Sequence, residues 1–319
     1  VSNTNFDRVA TLTLQNHASE IFDNITSNNA LCYLLKKKGN IKPVGGGRSF
    51  THPLYYLINS SFKSYGKLDV IDTPIMDDIT RADFPIKIVA GSLVMSTVEE
   101  AQNAGNKEKL LDYAEEVRMA AELSMTEVLG EQVWKDGSVA NDFDGLQNLI
   151  SDNPSAQTDV GGISAVDYSY WRNQTYTTEI SAFNTSEAGL TQMNALLNNC
   201  TFGRKGPRAI LTTKKIYGLY EIGLTPQIRY TDTELADAGF LNLKYATMPV
   251  LFDDNCPAEH MYYIDTDSLW LQVLKQGNMK VIPFQQAHNQ LSKTALMYLF
   301  GNLTTGSRRT QGVITQITG

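Results

Sequence analysis

Two extended arms separated by a long polar stretch, followed by one long amphipathic helix, constrain this chain more than any other feature of its sequence. The arms span Ser49–Ile58 and Phe84–Met95. Phe50, Leu54, Tyr56 and Ile58 share one face of the first, and Phe84, Ile86, Ile88 and Val94 share one face of the second, as alternation in a strand requires. Each arm carries a proline, Pro53 and Pro85. Proline has no N–H to give to a ladder, so neither arm suits the middle of a sheet. A two-stranded hairpin is marginal in water unless something covers it, and the pattern predicts that the cover is another molecule. The connection, Asn59–Arg81, is polar and charged and far longer than ordinary hairpin loops. It reads as a reaching element whose candidate contact residues are Lys63, Tyr65, Lys67, Asp69, Asp72 and Arg81.

The helix is expected from about Lys107 to Trp134. Leu110, Ala114, Val117, Ala121, Met125 and Val128 keep the three-to-four spacing of one buried stripe. At 1.5 Å per residue it is about 40 Å long. A shorter helix is expected just before it, with Ser96 or Thr97 and Glu99 or Glu100 as a capping box.

Upstream, residues 1–46 read as an arm. Phe6–Asn16 is a weak helix and Asn28–Lys38 a stronger one, with Lys36, Lys37 and Lys38 in its last turn and Gly39 after it. Cations suit a helix C-terminus and glycine suits the stop. Gly45–Gly47 is a flexible break and not a phosphate loop, because no Lys-Ser/Thr helix follows. Downstream of Asn141 short elements alternate. Helices are predicted at Asn184–Asn199, Lys214–Ile222 and Asp232–Ala238. Strands are predicted at Ala209–Thr212, Leu241–Phe252, Met261–Ile264, Leu269–Leu274 and Met279–Ile282, with Ala295–Thr304 and Gly312–Ile317 closing the chain. The fold class is α+β, with the last strands free to return to the long helix.

The chain has 319 residues, 42% of them hydrophobic, so it can bury a real core. Its net charge of −7 argues against a protein devoted to gripping phosphates. No apolar run reaches the roughly 18 residues of a membrane span, and Val1–Arg8 has no signal-like apolar stretch. Cys32, Cys200 and Cys256 are far apart and odd in number, which suits reduced thiols in a cytoplasm better than a disulfide framework.

Chemistry is sparse. The four histidines form no metal-binding spacing, and Cys256 with His260 lacks further ligands. No cofactor motif is found. Ser60-Ser61-Phe62-Lys63, Ser151-Asp152-Asn153 and Lys293-Thr294-Ala295 follow the order of the penicillin-binding acyl-serine enzymes, with Ser60 as nucleophile and Lys63 as its activator. The third motif lacks its glycine, and Ser60 ends a β-arm instead of opening a buried helix. Tyr168, Tyr170, Trp171 and Tyr176 around Arg172 offer a base-stacking platform, but packing explains them better in an acidic chain. Arg308-Arg309 is too short to be a basic patch.

The order arm, reaching hairpin, long helix, α+β domain and returning strands resembles the major capsid protein of tailed bacteriophages, the fold named after phage Hong Kong 97. Local stretches carry the resemblance further: Asn3–Val9, Asn28–Leu31, Leu35–Gly39, Gly145–Ile150, Tyr170–Gln174, Ala238–Phe240, Cys256-Pro257 and Gly301–Thr304. The resemblance implies an N-terminal arm (1–46), an extended E-loop (47–95), a peripheral P-domain built on the spine helix (96–138), an axial A-domain (139–260) and strands returning to both (261–319). It implies a non-enzymatic subunit that self-assembles into hexamers and pentamers. These form an icosahedral shell around double-stranded DNA, assembled in a bacterial cytoplasm. The E-loop would lie over the P-domain of the neighbouring copy. A separate scaffolding protein, a portal and a decoration protein are the further partners it suggests, with no membrane. Lys63 and Lys67 lie near the tip, but no acceptor for a covalent cross-link is evident. An encapsulin-like compartment for protein cargo is the alternative within the same fold.

Overall fold

The computed structural model describes residues 29–56, 61–71, 79–97, 107–184, 186–224, 243–286 and 291–319; in the long helix, side chains are described from Met119. The first element, α1 (Ala30–Lys38), is capped by Asn29, whose Oδ1 accepts from the Cys32 N–H at 3.0 Å. Leu31, Leu34 and Leu35 turn inward. Gly39, at φ +75°, ends the helix, a left-handed position that glycine adopts without a Cβ penalty. Strand β1 (Ile41–Val44) follows and pairs parallel with a strand more than 220 residues later, Ile41 opposite Leu271. The last part of the expected arm is thus built into the body of the protein. Phe6–Asn16 lies outside the described residues.

The hairpin is β2 (Ser49–Tyr55) against β3 (Ile79–Pro85), in register from Ser49↔Pro85 to Tyr55↔Ile79. The second arm is therefore not Phe84–Met95. Pro85 closes the hairpin ladder, and after Ile86 the chain enters a different sheet as β4 (Lys87–Ser96). That single intervening residue shifts the alternation, since a slip of one exchanges the two faces of a strand. Phe84, Val89, Leu93 and Met95 are buried, whereas Ile88 and Val94, expected beside Phe84, are 61% and 58% exposed.

The long helix α2 (Lys107–Gln132) ends two residues before the expected Trp134. Its described buried stripe runs Ala121, Met125, Leu129 and on to Val133, and Val128 faces outward. The spacing from Met125 is four residues, not three. Leu110, Ala114 and Val117 lie in the part whose side chains are outside the described residues. A short helix, α3 (Leu146–Leu149), follows. Strand β5 (Gln174–Tyr176) precedes α4 (Thr191–Cys200), which is entered through a wider turn at Ser186–Leu190. Then come β6 (Ala209–Thr212) and α5 (Lys214–Gly223), capped by Thr213. The expected strand Leu241–Phe252 is broken into β7 (Leu243–Tyr245) and β8 (Met248–Phe252) around Ala246, at φ +53°. The expected helix Asp232–Ala238 lies outside the described residues. The chain closes with β9 (Met261–Ile264), β10 (Leu269–Leu274), β11 (Lys280–Gln286), β12 (Ser292–Thr305) and β13 (Gly312–Ile314).

Two larger sheets organise these strands. In the first, β12 is the central member. Along one side it pairs with β4 over ten residues, and along the other with β11 and then β10, beyond which lies β1. Ala295, Met297, Leu299 and Leu303 of β12 are buried, so it alternates as a strand against a core should. The second sheet has the order β5-β13-β9-β6-β8-β7, and its inner strands β13, β9 and β6 are buried on both faces. Leu211, Tyr262 and Ile264 point into the main core shared with α1, α2 and the first sheet. Ile210, Met261 and Tyr263 point into a second core under α4 and α5, with Met193, Leu196 and Ile216.

The phase of the long helix has a direct test. Leu129→Ala should cost about 2–5 kcal/mol in urea unfolding, whereas Val128→Ala should change stability by less than about 0.5 kcal/mol. The opposite ranking would mean that the stripe follows the three-residue step.

Candidate assembly surface

The hairpin divides into a covered base and an uncovered tip. At the base, Phe50, Leu54, Ala82 and Phe84 belong to the subunit's own main core. The Asp83 N–H donates to the Gly161 carbonyl at 2.8 Å. Gly161 sits at φ +63°, and a Cβ there would lie 2.9 Å from the Phe84 ring, so glycine is needed both for the turn and for the close approach. His52 stacks on Trp270 with centroids 4.6 Å apart, and its Nε2 lies 3.0 Å from Thr304 Oγ1. Tyr56 stacks on Tyr170 at 4.7 Å. The junction between β3 and β4 is held by Asn302, whose amide donates to the Pro85 carbonyl at 2.8 Å and to Asp144 at 2.7 Å. The expectation that a second molecule covers the hairpin is therefore corrected for its base. The segment around Gly161, together with Trp270 and Tyr170, folds over it from within the chain.

The tip is different. Phe62, Leu68, Val70 and Ile71 are 86%, 94%, 90% and 64% exposed. In the sequence, charged neighbours mask these four apolar residues; a loop that was merely solvated would not need them. Of the named contact candidates, Tyr65 donates to the Ser61 carbonyl at 2.7 Å, and Lys63 lies over the Tyr65 ring at 5.5 Å. Asp69 accepts from the Gly66 N–H at 2.5 Å, closing a turn that contains Lys67. Arg81 pairs with Asp83 at 3.0 Å. Asp72 lies outside the described residues. The described charged candidates other than Lys67 thus have partners within the hairpin, and the apolar side chains point outward.

A second apolar surface lies between α2 and β4. It is a groove of about 310 Å³ lined by Ala90, Leu93, Val94, Ala121, Met125 and Val128 among others.

The remaining candidates resolve into structure. Trp171 is buried and donates to the Val160 carbonyl at 2.8 Å, and Arg172 donates to the Ala165 and Val166 carbonyls, so these groups fasten their own loop. Burial pushes the Cys32 and Cys200 thiols up to about 12 and raises Cys256 as well, which makes all three poor nucleophiles. Among the described residues no group of three His, Cys, Asp or Glu side chains is placed to hold a metal. Lys63 stands on the tip, Ser151 donates its N–H to Asn173, and Lys293 is buried in β12 opposite Met95. Each residue has its own separate surroundings, and Ser60 lies outside the described residues. Arg308 is fully buried. It donates to the Leu149 carbonyl, Gln157 and Asn173, and burial pulls it down to about 9.

No protein-family profile matches the chain, and no curated protein matches it in sequence. Solved structures do. The capsid of cyanophage A-1(L) superimposes with a TM-score of 0.63 at 15% identity, over 89% of this chain and 93% of that one. The capsid of a native GTA particle gives 0.57 at 12% identity, over 89% and 90%. The SrpI encapsulin of Synechococcus elongatus gives 0.53 at 11% identity, over 89% and 87%. The chain has the Hong Kong 97-type capsid fold. This capsid fold accounts for an otherwise odd layout, in which a hairpin is rooted in one sheet system and hands its chain directly to another.

Two histidines give the subunit opposite pH limbs. At the hairpin base, burial and then nearby Lys42 push His52 down to about 4. Neutral His52 is favoured in the fold, so its contribution is complete above about pH 6.5 and is lost as pH falls towards 4. For His260 burial acts downward, but Asp152 at 3.0 Å and the Ala258 carbonyl outweigh it and raise the pKa. Its contribution is complete below about pH 6.5 and is lost as pH rises through the folded value. Urea unfolding across pH should show the acid limb flattened in His52→Asn and the alkaline limb flattened in His260→Asn. Gly161→Ala should lose about 1–3 kcal/mol through its left-handed backbone alone, measured in the same way.

Proposed function

We propose that this chain is the shell-forming subunit of a bacteriophage-type capsid, assembling as hexamers and pentamers around double-stranded DNA. The observation that carries the reading is an apolar tip, Phe62, Leu68, Val70 and Ile71, held out on a hairpin whose base is already packed. Exposed apolar residues gathered at the end of a projection mark a surface that another protein covers. In a closed lattice every copy offers the same projection and the same receiving surface, so one modest contact is repeated around the shell. The groove between α2 and β4 of a neighbouring copy is apolar and lies on a rigid helix–sheet layer, and we assign the tip to it. Lys67 and the Arg81–Asp83 ion pair then set docking register more than affinity.

The division into arm, extended loop, peripheral domain and axial domain belongs to the same proposal, with the loop's paired strands bounded by Ser49 and Pro85. So do assembly in a bacterial cytoplasm and partnership with a separate scaffold, a portal and a decoration protein. The subunit is read as structural, in keeping with capsid neighbours that are themselves structural proteins. The likeness to an encapsulin makes protein cargo the second reading, and nucleic acid or protein in purified particles separates the two.

Replacing Phe62, Leu68, Val70 and Ile71 together by serine should leave the subunit's unfolding midpoint unchanged and abolish shells in electron microscopy. Normal shells from that variant would overturn the assignment of the tip.

A further inference from the structure

Three segments that are far apart in the sequence bring basic side chains to the surroundings of one acidic turn. The turn at Asp267 is the hub: its carboxylate pairs with Lys38 Nζ at 2.7 Å and Arg208 Nε at 3.4 Å. Lys38 is in the last turn of α1, and Arg208 leads into β6. The Arg208 N–H donates to the Ile264 carbonyl, which fixes that lead to the end of β9. From the other side, Thr310 bonds buried Asp265 at 2.8 Å, and Arg309 beside it stacks over the Phe202 ring at 5.1 Å. Phe202 is 62% exposed and bridges to Lys205 across a tight turn that contains Arg204. Lys38, Arg204, Lys205, Arg208 and Arg309 are all exposed. Asp267 is the exposed acid in these contacts, and Asp265 behind it is buried and engaged by Ser268 and Thr310.

A chain of net charge −7 has therefore gathered five cations along one strip. Neither Lys36–Lys38 nor Arg308-Arg309 is a basic patch in the sequence; the patch exists only in space. The Asp267 carboxylate holds two of the cations in place without cancelling the strip. The Phe202 ring holds the Arg309 guanidinium while its N–H edges remain available, which is the geometry that suits bidentate phosphate contacts.

We propose that this strip binds the phosphates of duplex DNA, without sequence preference, and is the part of the subunit that faces the packaged genome. The inference rests on the capsid reading above. An acidic protein segment is the competing partner for the same charges.

The test uses the full chain as unassembled subunits, with R204Q/K205Q/R309Q as the variant and K275Q/K280Q, beyond the far end of β10, as the control. Binding to a fluorescent duplex DNA and to poly-glutamate is measured across salt. The wild type and the control should bind DNA in preference to poly-glutamate, with a steep fall in affinity as salt rises. The triple variant should have a log affinity–log salt slope shallower by about three, one for each phosphate contact removed, and at least tenfold weaker binding at low salt. Unchanged DNA binding in the variant, no DNA binding by the wild type, or preference for poly-glutamate would each overturn the strip. Electron microscopy of the same chains keeps the two readings apart. Normal shells from a chain whose unassembled subunits bind no DNA overturn the strip alone, whereas absence of particles under every condition overturns the capsid reading.

Discussion

The junction at Pro85 is the constraint on which the rest of this structure depends. Within two residues the backbone must leave a two-stranded hairpin and become the edge of a five-stranded sheet. Proline ends the first ladder because it has no N–H to continue it. Its carbonyl, which the change of sheet leaves without a ladder partner, is taken by Asn302, and Asn302 is itself fully buried between that carbonyl and Asp144. Burial raises the Asp144 pKa in spite of the Asn302 bond and nearby Lys87. The junction is thus a small polar knot inside an apolar core, and a buried polar group left unbonded there would be costly.

From that knot the two halves of the molecule acquire different tasks. On one side, β4 zips along β12 and carries α2 against the sheet, which creates the apolar groove. On the other, β2 and β3 are anchored by Phe84 against Gly161 and by His52 on Trp270, so that the tip is held out from a fixed root. The same short segment therefore makes both the exposed tip and one wall of the apolar groove to which the tip is proposed to dock. A subunit with complementary features at separate places forms heterologous contacts that close into rings when the rotation allows. In the proposed assembly, stability rests on the base and contact with a neighbour on the tip, which is why changes at the tip are expected to spare folding.

Much of the layout was legible because it rests on local rules. Ala209–Thr212, Met261–Ile264 and Leu269–Leu274 coincide with β6, β9 and β10, since short apolar runs bounded by turn residues have few alternatives. Asn29 and Gly39 mark the ends of α1 through their own side-chain and backbone chemistry. What was not legible depended on partners distant in sequence. Nothing near Phe84 announces Gly161 or Asn302, so the cover of the hairpin base was assigned to another molecule. Val128 and Leu129 are both apolar, and only packing against the first sheet chooses between them. The split of the second arm at Ile86 is hidden in the sequence because Phe84 and Ile88 share a parity that one intervening residue destroys. At the candidate surface, the charged residues drew attention, but the described ones, Lys67 apart, are engaged locally, while Phe62 and Leu68 are left exposed.

Amide hydrogen exchange, compared between unassembled subunits and purified particles, tests the account most directly. Residues 61–71 should exchange fast in the subunit and become protected in the particle. Paired amides at residues 50–54 and 82–84 should be protected in both. Protection of the tip in the isolated subunit, or a base that becomes protected only on assembly, would contradict the division between a self-covered root and an end completed by a neighbour.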